Sequence, residues 1–288
     1  NAEDALLYAK SLSDDLRYKQ MYIQGAVRRL FDKNPQAALV EVTKLDGPHS
    51  FRMLRSKLAE WILSSPDDAV SEMSKHSRWF KEKSGDILSA IAEKDPEMAM
   101  VVLSNYGDIF PVGSMQELVK GWASKDARAA YDYVQTQMVN PSSGLVNSVT
   151  RAFAGKFPLE AIKMIAADEI DTQKVWNISH AIAFNSENTD IVAAYRQTEN
   201  PLLKQGILRD VAQKMSWRSP NKALDWLRQF ENDEGYEEAW STVVRRISMD
   251  KPEQALAYAF ERESSDVTQR LISTIASRWR GKNNEQFD

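Results

Sequence analysis

Residues 215–224 read MSWRSPNKAL, and the same phrase returns as FDKNPQAAL (31–39), ILSSPDDAV (62–70), IAEKDPEMAM (91–100), WASKDARAA (122–130), FAGKFPLEAI (153–162) and ISMDKPEQAL (247–256). Anchored on the proline, the copies stand at Pro35, Pro66, Pro96, Ala127, Pro158, Pro220 and Pro252. A degenerate copy is placed at Thr189, a start near Ala2 and a tenth start at Asn284. Successive anchors lie 30 to 33 residues apart. Self-similarity at such a period is the signature of a repeat architecture.

The anchor reads as the first residue of a helix. Proline suits that position because its φ is already helical and its missing N–H has no intrahelical partner to lose. Asn34, Ser65, Asp95, Asp126, Asn188 and Ser219 precede six anchors. Each carries a short side-chain oxygen of the type that caps a free backbone N–H. Three residues after the anchor stands Ala5, Ala38, Ala69, Ala99, Ala130, Ala161, Ala223 or Ala255, with Val192 the exception. An apolar row follows, through Val42, Met73, Leu103, Val134, Ile165 and Leu227. This is the stripe of a short amphipathic helix, helix A.

A second helix, B, precedes each anchor. Leu30, Trp61, Ile91, Trp122, Phe153, Phe184, Met215, Ile247 and Trp279 lie five residues upstream, with Val27, Leu58, Leu88, Val119, Ala212 and Val244 three residues earlier on the same face. One such pair cannot bury its stripe, whereas stacked pairs bury it continuously. The expected fold is therefore all-α: an α-solenoid of about nine helix-turn-helix units, forming one domain over residues 1–288. The pattern already runs at Ala2 and starts anew at Asn284, so a piece of a longer chain is expected. The B-to-A turns are short, whereas the A-to-B turns vary and include Gly/Pro-marked stretches at 106–114 and 138–144. Insertions of this kind gather on one edge, often the binding edge.

The phrase resembles tetratricopeptide and related half-tetratricopeptide or Sel1-like repeats. It departs from them in its shorter period and in lacking the Trp-Leu-Gly-Tyr pattern of their first helix. The resemblance implies a right-handed superhelix whose A helices line a concave face that grips peptides or proteins.

Composition narrows the function. The 288 residues contain no cysteine, which removes disulfides, thiolate metal sites and cysteine nucleophiles. A thiol-free chain suits an oxidising compartment, so a periplasmic or secreted bacterial protein is expected, with the cytoplasm as alternative. A net charge of −4 lacks the footprint of a general nucleic-acid binder. No apolar run approaches the ~18 residues of a membrane span.

Chemistry-bearing patterns are sparse. His49, His76 and His180 fall in different units without metal-ligand spacing, and AGKF and RGKN lack the glycines and hydroxyl of a phosphate loop. Carboxylates follow helix starts or form solvated runs. No cofactor, metal or catalytic residue is expected. Asn177-Ile178-Ser179 matches a glycosylation acceptor but falls within a helix B. Arg28-Arg29 and Arg245-Arg246 read as a solvated outer face.

The candidate ligand-binding residues are aromatic. Tyr133, Tyr195, Trp226 and Tyr258, with Tyr8 at the N-terminal end, stand six residues after their anchors, at the margin of the buried stripe. They form either an exposed row or a seal between units. The leading expectation is a non-enzymatic scaffold holding a protein or peptide. A non-catalytic superhelical arm of a larger, cell-wall-acting enzyme and a carbohydrate- or peptidoglycan-binding module are the alternatives.

Overall fold

The computed structural model describes residues 1–13, 18–45, 48–111, 113–166, 171–262 and 265–284, leaving aside the side chains of 48–50, 53 and 280–284. The His49 side chain and the Asp46-Gly47 turn lie outside this description. The described residues form helices joined by turns, with no strand among them. They fall into two compact units, Asn1–Val149 and Thr150–Asp288.

In the first unit the A helices are α1 (Ala2–Ser11), α3 (Pro35–Val42), α5 (Pro66–Ser74), α7 (Pro96–Asn105) and α9 (Ala127–Thr136). They alternate with α2 (Lys19–Phe31), α4 (Pro48–Ser64), α6 (Ser77–Lys94) and α8 (Ser114–Lys125). The B helices pack in sequence, α2 on α4, α4 on α6 and α6 on α8. Helix α10 (Ser143–Lys156) contains the division between the units. The second unit continues with α11 (Pro158–Ala161), α12 (Thr172–Asn185), α13 (Asn188–Gln197), α14 (Pro201–Ser216), α15 (Pro220–Leu227), α16 (Tyr236–Asp250), α17 (Pro252–Phe260) and α18 (Asp266–Asn284). Here α12 packs on α14, α14 on α16 and α16 on α18.

All seven anchors from Pro35 to Pro252 named as repeats of the phrase open a helix. Asn34, Asp95 and Asp126 accept the backbone N–H three residues on, as their side chains suggest. Ser65 and Ser219 hold the cap position without that bond. The small residue three positions after the anchor is wholly buried at Ala38, Ala69, Ala99, Ala130, Ala161, Ala223 and Ala255. So are Val27, Leu58, Leu88, Val119, Ala212 and Val244 on the B helices. A fully buried aliphatic side chain contributes about 1.5–3 kcal/mol, against about 1 for a cap. The stripe therefore holds the stack, and caps decide only where helices begin.

Two sequence expectations need correction. Helix α13 opens at Asn188, with Glu187 at its cap, so the register there runs one residue ahead of the Thr189 anchor. Asn284 ends α18 and opens no helix among the described residues. Three side-chain hydrogen bonds in the second unit share the spacing of the phrase. Ser186 Oγ donates to Gly155 O, Lys214 Nζ to Ala183 O and Ser179 Oγ to Asp210, each pair 31 residues apart.

The variable A-to-B turns use backbone shapes that the sequence marks. Gly113 and Gly235 adopt φ of 96° and 88° at the caps of α8 and α16, a region unfavourable to residues with a Cβ. No helix among the described residues is long and apolar enough to cross a membrane.

Candidate functional site

The register at α13 decides where one predicted site residue goes. Counted from Asn188, Tyr195 is seven residues into the helix, the position of Val42, Met73, Val134 and Leu227. That row faces the core, and Tyr195 is only 4% exposed. Its ring meets Phe230 edge-on at 4.8 Å, and its hydroxyl donates to Asp233 at 3.0 Å. Trp226 is half-buried, packs on the same Phe230 at 4.8 Å, and has a buried indole N–H with no partner among the described residues. The structure thus brings Tyr195 and Trp226 together on one phenylalanine. Tyr133 leans on Trp122 at 5.2 Å in the first unit. Tyr258 borders a cleft with Tyr236, Trp240 and Arg262, and its hydroxyl accepts from Gln254. Tyr8 is 65% exposed.

Burial, then the hydrogen bond to Asp233, pushes the Tyr195 phenol well above its ordinary range, because both favour the neutral form. The folded state thus holds this proton more tightly than the unfolded state. The resulting stability is complete below the ordinary phenol range and is lost as pH climbs through that range toward the folded value. Denaturant titrations at increasing alkaline pH should show falling stability, with a shallower fall in Tyr195→Phe. Identical slopes would show that this phenol is solvated.

A more concentrated group of polar and aromatic side chains lies on the B helices of the second unit. Trp176, His180 and Phe184 recur every fourth residue along α12, so their rings stack on one face of the helix. Centroids are 5.1 Å apart for Trp176–His180 and 4.3 Å for His180–Phe184, and Trp217 continues the ladder at 5.5 Å from Phe184. Its two ends are open, with Trp176 41% and Trp217 58% exposed. Lys214 braces the far end, donating to the carbonyls of Ala183 and Phe184 at the end of α12.

Beside the ladder, Asp210 of α14 is buried against α12 with a side chain 3% exposed. Its Oδ1 accepts from Arg209 Nε at 3.0 Å and lies 3.0 Å from Arg209 Nη2. Its Oδ2 accepts from Ser179 Oγ at 3.1 Å and stands 3.7 Å from His180 Nδ1. A buried carboxylate is tolerable only with such partners. Gly206 permits the approach of the two helices here, since a Cβ on it would fall 2.8 Å from Ser179 Oγ.

Trp176, Ser179, Gly206 and Arg209 border a cavity of about 490 Å³ between α12 and α14. Trp176, Val175 and Leu202 form apolar wall, Thr172, Gln173 and Gln205 supply neutral polar groups, and Arg209 is the one formally charged side chain among the described lining residues. Leu202 is 37% exposed. The candidate aromatic row expected from the sequence lies on helix A, whereas this group lies on helix B with His180 in its middle. The signal that marks this site is the four-residue aromatic spacing from Trp176 to Phe184. The Asn177 acceptor pattern lies inside α12 with Asn177 2% exposed, so its amide is closed to a sugar transferase.

Fold and site together define an all-α protein whose helices pack on their sequential neighbours, an arrangement compatible with helical-repeat architecture. No protein-family model, curated protein or solved structure matches the chain.

Proposed function

We propose that this protein is a non-catalytic interaction module that holds a partner polypeptide, its 30–33-residue register read as nine units of a right-handed α-solenoid. The observation that carries the functional reading is the cavity between α12 and α14. There two large apolar side chains, Trp176 and Leu202, remain open to solvent beside a guanidinium held by a buried carboxylate. An exposed tryptophan beside an arginine matches the residue types enriched at interface hot spots, and Leu202 extends the apolar wall around them. The exported location expected of a cysteine-free chain extends the proposal to a periplasmic or secreted partner.

Photocrosslinking tests it. A benzophenone amino acid placed at position 202 is expected to yield a discrete protein adduct in the producing cells, abolished by Trp176→Ala. An adduct unaffected by that change, or no protein adduct together with turnover of a small substrate, overturns the reading.

A further inference from the structure

The chemistry of the α12–α14 cavity restricts what part of a polypeptide fits. Its volume of about 490 Å³ suits a ligand of small-molecule size, a residue or two, and not a long running segment. Its wall is apolar at Trp176 and Leu202, and among the described lining residues the one formal charge is the Arg209 guanidinium. Asp210 engages that guanidinium through Nε and Nη2 with a single oxygen. The remaining nitrogen, Nη1, has no partner among the described residues, and the Arg209 side chain is 45% exposed. Because Asp210 is itself held by Ser179 from α12, the guanidinium is fixed before any ligand arrives. A planar cation so oriented recognises a carboxylate through paired N–H donors.

Resting on the polypeptide-binding reading above, we infer that the cavity takes the C-terminal residue of the partner. Its apolar side chain packs between Trp176 and Leu202, and its free α-carboxylate meets Arg209. A chain terminus unites the two chemistries on one residue and needs no exit for a continuing chain. Asp210 is a positioning residue in this arrangement, because it touches the guanidinium and not the ligand.

The test uses the full chain and acetylated hexapeptide libraries ending in an apolar residue, read by calorimetry and tryptophan fluorescence. The expected result is saturable binding of the free acids that weakens roughly tenfold or more on C-terminal amidation. Arg209→Gln is expected to remove the difference between acid and amide, and Trp176→Ala to weaken both. Since Arg209→Gln leaves Asp210 without its cation, the double variant Arg209→Gln/Asp210→Asn provides a fold-neutral control with the same expected loss. Several results overturn the inference: equal affinity for acid and amide, amidated peptides with an internal glutamate binding as tightly as free acids, chitooligosaccharides binding in place of peptides, or no binding. Should the position-202 adduct form and depend on Trp176 while acid and amide bind alike, the polypeptide-binding reading stands and the terminal-carboxylate inference falls.

Discussion

Gly121→Ala is expected to destabilise the first unit by about 3 kcal/mol, lowering its melting temperature by roughly 6–12 °C. Gly121 lies on α8 where α6 comes closest. A Cβ there would fall 2.2 Å from Ser89 O and 2.7 Å from Ser89 Cα. Both are backbone atoms, so no side chain can swing aside and the two helices must separate along their buried stripe. Gly25→Ala is the internal contrast, because a Cβ at that position of α2 meets nothing within 4 Å. Restricting the unfolded chain there should add about 0.5–1 kcal/mol. Circular-dichroism melts of the two variants check the pair. Equal melting temperatures would mean that α6 and α8 do not approach as described.

Asp210→Ala should lower the stability of the second unit by roughly 2 kcal/mol. Removing the carboxylate strips Arg209 Nε of its acceptor and breaks the link from α14 to Ser179 Oγ, whose proton is left to Trp176 O at 3.2 Å. Arg209 is 45% exposed and can turn to water, which holds the loss below that of a fully buried ion pair. Asp210→Asn, which keeps an acceptor for Ser179, should lose less. Denaturant titration separates the three proteins; superimposable curves would show that Asp210 is solvated and bridges nothing.

Helix starts were legible in the chain because their signal is local. Proline at the first helical position and an Asn or Asp before it act through a few neighbouring backbone groups, and Pro35, Pro96 and Ala127 open helices accordingly. Where the phrase decays, at Asn188, no proline marks the first residue and the register was misplaced by one. A one-residue slip on a helix turns a side chain by about 100°. That turn moves Tyr195 from the margin of the stripe into the core.

The α12–α14 site was hidden for a different reason. Ser179 and Asp210 are 31 residues apart, and each alone looks like an ordinary polar residue of a helix B. Only stacking of one helix on the next makes Asp210 buried, gives Arg209 a fixed direction and leaves Trp176 and Leu202 open beside it.

The order of residues, by itself, determined that the chain is helical, how often helices begin and which small and apolar positions face inward, because periodicity and capping act within a turn or two of backbone. Tertiary structure alone decided which aromatic rings are covered and where a charged group meets an apolar wall, because burial depends on a neighbouring helix contributed by residues one period away.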